Sequence, residues 1–483
     1  MKKTFLRSAA IAMAVTGASA AHAVHVNPDG LGEVLLYPYY TVQNGFVTAV
    51  HVVNTTDQAK AVKVRFLEGR NSQEVLDFNL YLSPFDVWTG TVVPDAANGA
   101  KLISTDTSCI APRQLGASGV AFRNFQFATD SDADVLDRRA EGYVELIEMG
   151  VLTDPSQIAA VTHTAPAPGQ PARPANCSVI TAADDAENIA VSPPTGGLFG
   201  SGHLVSVEAG VRTSYDPVAL DAFSQDVALW FRAGSVLPSL QQVDPPVGEI
   251  LDGNDIFEFV AEPGRLIDAV SAVLTQEEIY NEYTIDGGRN SQTDWVVTFP
   301  TKRFYVNVAD PDLDSTQPFQ NPWALNSAGK EESCHNIEFE VFDREEQGIV
   351  PDTGDFSPAP VIPGFAICNE VNTLTLFRSG TNPDDGRLFG AKSTAAALAI
   401  DNFEAGWLRM RFQDGTDPQG PYGFIADDPE FGSGMVVNGL PVIGFSASRN
   451  VNTVDVQIDG LNVYSAVMGS NQHKGNKTII VPN

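Results

Sequence analysis

The chain has 483 residues, 43% of them hydrophobic, and its 60 acidic side chains against 29 basic ones give a formal charge of −31. That apolar content can build cores, which excludes a disordered acidic tail. So negative a surface excludes nucleic acid as a partner, because phosphate affinity needs clustered Lys and Arg.

Residues 1–23 read as a secretory signal peptide: Lys2, Lys3 and Arg7 form a basic start, "AAIAMAVTGA" is the apolar stretch, and "AHA" (Ala21–Ala23) is the cleavage site. No later run approaches the roughly 18 uncharged apolar residues of a membrane helix, so no transmembrane span is expected. The expected location is therefore outside the cytoplasm, extracellular or on the outer cell surface, with the periplasm as the alternative. About 460 mature residues point to more than one domain.

The mature chain opens on "GLGEVLLYPYYTVQNG" (Gly30–Gly45). Gly30 and Gly32 precede a strand and lack the third glycine of a dinucleotide fingerprint, so the stretch reads as a first β-strand interrupted at Pro38. Pro38 cannot donate to a ladder and marks an edge, a bulge or a crossing between sheets. Next, "FVTAVHVVNTTD" and "AKAVKVRFLEGRNS" read as strands, with Val62, Val64 and Phe66 facing a core and Lys63 and Arg65 facing out. "VLDFNLYLSP" and "DVWTGTVV" continue the pattern. Short strands spaced by polar turns argue for a β-sandwich.

"DSDADVLD" places Asp130, Asp132, Asp134 and Asp137 close together, and "DPDLDS" does the same with Asp310, Asp312 and Asp314. Alternate aspartates in a turn can converge on Ca²⁺, which takes six to eight oxygens, so each loop is a candidate structural calcium site and calcium the candidate cofactor. Neither loop is an EF-hand, since the glycine at position six and the glutamate at position twelve are missing. The competing reading is a solvated acidic turn.

"THTAPAPGQPARPANC" is an Ala/Pro-rich surface loop. "DPVALDAFSQDVALWFRAG" and "PGRLIDAVSAVLTQEEIYNEY" carry helical spacing. Beyond them "TDWVVTFPTKRFYVNV", "IEFEVFD", "NTLTLFR" and "GWLRMRF" are strands again; in the last, Leu408, Met410 and Phe412 alternate with Arg409 and Arg411. The expected fold is mainly β: two antiparallel β-sandwich modules, Ig-like or jelly-roll-like, with a few short helices in connecting segments. Residues 24–225 form the N-terminal sandwich, 226–290 a helical connection and 291–483 the C-terminal sandwich.

The four cysteines, Cys109, Cys177, Cys334 and Cys368, are even in number and suit an oxidising compartment. Sequential pairing, Cys109 with Cys177 and Cys334 with Cys368, is expected, each pair closing a proline-rich insertion. Three connectivities are open to four cysteines.

Catalytic signatures are missing from the sequence. There is no GxSxG elbow and no HExxH, and "GRLFGAKST" (Gly386–Thr394) fails as a phosphate loop because Ala391 separates Gly390 from Lys392. Trp88, Trp295 and Trp407 each lie in a strand and are expected in cores, though an exposed one could bind sugar. His51 and His203 read as strand residues with hydrogen-bond partners.

"VVNTTDQAKAVKVRFLEGRNSQEVLDFNLYLSPFDVWTG", "TDWVVTFPTKRFYV" and "GLPVIGF" resemble a family of exported proteobacterial proteins of unassigned function. The resemblance implies an envelope or extracellular location in a Gram-negative bacterium and transfers no catalytic residue. Export, acidity and missing catalytic motifs together favour a structural or adhesive cell-surface protein, of surface-layer or matrix type, over an enzyme. Its expected partners are further copies of itself or a cell-surface polysaccharide. The alternatives are an extracellular carbohydrate- or ligand-binding protein and a secreted hydrolase whose site has no recognisable motif.

Overall fold

The computed structural model describes residues 23–165, 167, 169–287, 290–306, 318–319, 321, 323–325, 331–345, 362–401, 403–412, 423–426, 435–451, 456–458, 461–463 and 466–481. Residues 1–22, which hold nearly all of the expected signal peptide, and Asp310, Asp312 and Asp314 lie outside the described residues.

The architecture is mainly β, built as two antiparallel sandwiches. In the first, the main strands are β1 (Val34–Thr41), β2 (Phe46–Asn54), β3 (Lys60–Glu68), β4 (Glu74–Leu82), β5 (Val87–Asp95), β6 (Glu141–Leu152), β7 (Leu198–Ser206) and β8 (Val211–Tyr215). An eight-stranded sheet runs His25–Val26, Val218–Asp221, β1, β6, β3, β4, Cys109–Ala111, with Val191–Ser192 on β6. A six-stranded sheet runs β8, β7, β2, β5, Gly99–Ile103, Val120–Ala121.

After helix α1 (Ile267–Leu274) come β9 (Glu278–Thr284), β10 (Gln292–Thr298), β11 (His335–Asp343), β12 (Val371–Arg378), β13 (Ala405–Arg411), β14 (Ile443–Val451) and β15 (Ala466–Gln472). They form two five-stranded sheets, Ile362–Ile367, β11, β13, β9, Lys474–Asn476 and Ala395–Ile400, β12, β10, β14, β15. Ala395–Ile400 runs parallel to β12, and the other pairs in these two sheets are antiparallel. Disulfides join Cys109 to Cys177 and Cys334 to Cys368.

The helical spacing of "DPVALDAFSQDVALWFRAG" does not become a helix. Val218–Asp221 extends instead along the open side of β1, pairing Val218 with Leu36, and Ala222 at φ 54° ends the strand. Among the described residues between 226 and 290 there is one α-helix, a hairpin (Val247–Asp252 with Asp255–Val260) and β9, which belongs to the second sandwich. A free sheet edge offers ladder hydrogen bonds that a short amphipathic segment cannot match on its own.

The larger correction concerns the eight-stranded sheet. Lys63 and Arg65 do alternate with the core residues Val62, Val64 and Phe66, yet they are buried too. Every residue of β1, β3 and β6 is buried. The second face of the sheet is covered by the segment after Asp221 and by the second sandwich. Arg65 donates to the Pro238 carbonyl at 3.4 Å, Arg303 pairs with Glu145 at 3.0 Å, and Phe223, Leu229 and Val270 share a core with Ile147 and Met149. Charges taken out of water must be paired, and these are: Lys60 with Glu148, Lys63 with Asp77, Arg65 with Glu74.

The tyrosine-rich strand lies at the centre of this junction. β1 pairs with β6 across a bulge, Tyr40 opposite Gly142 and Tyr37 opposite Val144, so Pro38 falls where the ladder is already interrupted. Its carbonyl accepts from Thr298 of the second sandwich at 2.7 Å, and Tyr39 packs on Phe389 with ring centroids 5.4 Å apart. The main chain continues the join, Val371 N to Gly69 O at 2.7 Å. No helix of the described residues is long and apolar enough to cross a membrane.

Candidate functional site

Period two along β13 sends Leu408 and Met410 into the second sandwich, where both are fully buried. The same parity puts Trp407 on the opposite face, alongside Arg409 and Arg411. There the arginines are held by Glu278 and Glu340 of the flanking strands, Arg411 to Glu278 at 3.1 Å and to Glu340 at 2.9 Å. Trp407 has no such partner and stays 38% exposed. Trp88 and Trp295, by contrast, are completely buried.

Trp407 sits opposite Phe342 on one neighbouring strand and Glu282 on the other. Its indole stacks on Phe342, centroids 4.2 Å apart and planes 11° from parallel. Phe342 thus holds one face of the indole and leaves the other toward the strand that carries Glu282. Stacking fixes the ring in one rotamer, so a ligand on the free face meets a surface already ordered.

The groove exists because a strand runs out. Lys474–Asn476 covers only Glu278, Ile279 and Tyr280 on the far side of β9, which leaves Asn281 to Thr284 with no strand beside them there among the described residues. Beyond that edge, β14 and β15 of the facing sheet offer Ser446, Ser448, Asn450 and Asn471. The space between is about 690 Å³ and also meets Asp343, Arg344 and Trp407. This is the size range of small-ligand sites.

The walls are tied by polar contacts. Ser446 Oγ donates to Glu282 O at 3.1 Å, Trp295 Nε1 donates to the same oxygen at 3.3 Å, and Asn281 Nδ2 donates to Asn471 O at 2.8 Å. Tyr283 donates to Phe342 O at 3.4 Å, and burial together with the nearby Asp343 charge raises its pKa, so the hydroxyl keeps its proton. The outcome is one ordered aromatic face ringed by carboxylates, hydroxyls, amides and a guanidinium.

The residues singled out for metal fall elsewhere. Asp130 and Asp132 come together on one guanidinium, Arg138 Nη1 lying 2.7 Å from an oxygen of each, and Arg70 also pairs with Asp132. Asp137 accepts from Gln43 at 2.8 Å and Lys392 at 3.1 Å, and Asp134 is exposed. The one group of metal-ligating types brought within reach, among the described residues, is Glu332 with Cys334 and Cys368. Those two sulfurs are bonded to each other and offer no thiolate.

His51 and His203 stand with ring centroids 4.8 Å apart on the outer face of the six-stranded sheet. Arg212 donates to His203 Nδ1 at 3.1 Å, while Nε2 of the same ring meets Ser201 Oγ at 3.0 Å. Desolvation first, then the adjacent charges, lower both imidazole pKa values. Both are strand residues, as their sequence context indicates, and His203 has the polar partners expected of it.

Sequence reasoning missed Glu282, Ser446, Asn450 and Asn471, which no local pattern links. It also misassigned Trp407, although the signal was present: alternation that sends Leu408 inward sends Trp407 outward. Comparison of the chain with protein-family models, with curated proteins and with solved structures finds no match.

Proposed function

We propose that this is an exported, adhesive β-sandwich protein that binds a cell-surface or matrix glycan in the groove at Trp407. The observation that carries the reading is the half-open indole, ordered by Phe342 and set among polar groups. A pyranose ring has an apolar C–H face that suits an indole and a rim of hydroxyls that each donate and accept. Glu282 and Asp343 accept, Arg344 donates, and Asn450 and Asn471 do both. Two disulfides are compatible with export. Two sandwiches locked through a shared buried sheet also make a stiff body, which suits an adhesive role.

The test is glycan binding by the purified mature protein, first on an array and then by calorimetry. Trp407→Ala is expected to abolish binding while leaving the protein folded, with stability lowered by about 0.5–1.5 kcal/mol for the lost stack on Phe342. Absence of any glycan ligand, or undiminished binding by Trp407→Ala, would overturn the proposal.

A further inference from the structure

The groove does not end at Trp407. β11 ends at Asp343, β9 ends at Thr284 and β13 begins at Ala405, so these three hydrogen-bonded strands terminate together. Their register confirms it: Asp343 and Tyr283 both lie opposite Gly406. A second cavity of about 340 Å³ lies across the same strand ends. It shares Asp343 and Arg344 with the first and reaches Phe403 and Ala405. Two spacings between strands, about 10 Å, separate β11 from β9, so the joined trough is longer than a single sugar ring.

The rim of this trough is acidic. Glu282, Asp286, Asp343, Glu345 and Glu404 contribute five carboxylates among the described residues. Arg344 and Arg378 are the guanidiniums, and Arg378 is already paired with Glu404 at 3.1 Å. The formal balance of these lining side chains is −3 among the described residues. A polyuronate laid here would face like charge at several positions, whereas an ammonium-bearing chain would be complemented.

We infer that the ligand is a linear amino-sugar polymer carrying free ammonium groups, lying across the ends of β11, β13 and β9. One sugar stacks on Trp407, and the next units pass over Asp343 and Arg344 toward Phe403. This rests on the glycan-binding reading above and adds chain length and charge to it.

The experiment measures affinity of the purified mature protein for four probes: glucosamine hexamer, glucosamine dimer, a neutral glucan hexamer and a galacturonate hexamer. The glucosamine hexamer is expected to bind best, about tenfold tighter than the neutral hexamer, from one or two exposed charge pairs. Its lead is expected to shrink as salt rises, and the dimer to bind more weakly than the hexamer. The double variant Asp286→Asn, Glu345→Gln, at rim carboxylates away from Trp407, is expected to reduce the preference for glucosamine while still binding the neutral hexamer.

Equal binding of neutral and glucosamine hexamers, or tighter binding of galacturonate, overturns the charge assignment. Glycan binding through Trp407 then still stands. Equal affinity for dimer and hexamer overturns the extended path. Failure of all four probes, together with a silent array, overturns both readings.

Discussion

Lys60 and Glu148 lie on neighbouring strands, Nζ 2.6 Å from Oε1, and neither side chain reaches solvent. Glu148 also accepts from the Thr195 and Gly196 amides, at 3.1 and 3.0 Å. The pair shares the parity of Val62, Val64 and Leu146 and so lies on the inner face of the first sandwich, a charged pair among core residues. Removing one partner strands the other charge in a dry interior. Lys60→Met is therefore expected to lower unfolding free energy by about 3–5 kcal/mol, and Lys60→Met with Glu148→Gln to recover most of it. Urea denaturation of the three proteins checks this; a double variant no better than the single one would contradict it.

The arginine clasp of the 130–137 loop gives a second test. Arg138 is buried, faces Glu68, Asp130 and Asp132, and lies over the Phe127 ring at 4.0 Å. Arg138→Met should cost about 3–5 kcal/mol and make the loop a site of early proteolytic cleavage. Guanidinium already meets Asp130 and Asp132, so millimolar Ca²⁺ is not expected to protect this loop from the cleavage that Arg138→Met exposes. Protection by calcium would show that the loop takes the ion.

pH should act through Glu370, which is fully buried at the junction. Burial raises its pKa to about 8, against the opposing pull of Lys302 and Arg303. The folded state then binds the proton that the unfolded state has released. Its contribution is complete below about pH 4.5 and is lost as pH rises to about 8, with a slope near 1.4 kcal/mol per unit. Lys302, depressed to about 8 chiefly by burial, acts in the opposite sense, its contribution growing from about pH 8 to 10.5. Glu370→Gln should flatten the decline between pH 5 and 8, read from urea midpoints; an unchanged slope would sink the assignment.

Phe342 is predicted to act on ligand affinity through Trp407. Phe342→Ala removes the ring that orders the indole and should weaken glycan binding up to about tenfold, because ordering a free indole on binding costs about 0.5–1.5 kcal/mol. Near-ultraviolet circular dichroism should change at the same time, reporting a less ordered tryptophan. Full affinity with a mobile indole would show that pre-ordering is unimportant.

Each disulfide closes a long loop, over separations of 68 residues for Cys109–Cys177 and 34 for Cys334–Cys368. Chain entropy alone assigns each about 4 kcal/mol. Replacing either pair by serine should therefore lower stability by similar amounts, despite the twofold difference in loop length. A loss confined to one pair would point to native-state contacts instead.

The β class, the strands from Phe46 to Val93 and those from Ile337 onward were legible in the sequence, because a period of two is a local property of the chain. The same alternation could have turned Trp407 outward, since its parity with Arg409 and Arg411 is fixed by the backbone. What the pattern could not carry was the surroundings of each face. Lys63 and Arg65 alternate as surface residues do, but whether a second layer covers them depends on residues more than a hundred positions away. Likewise, "DPVALDAFSQDVALWFRAG" has helical spacing, and it became partly strand because β1 had a free edge beside it. The groove belongs wholly to the tertiary structure: Glu282, Asp343, Trp407 and Asn450 meet only because three strands end together and a fourth stops short.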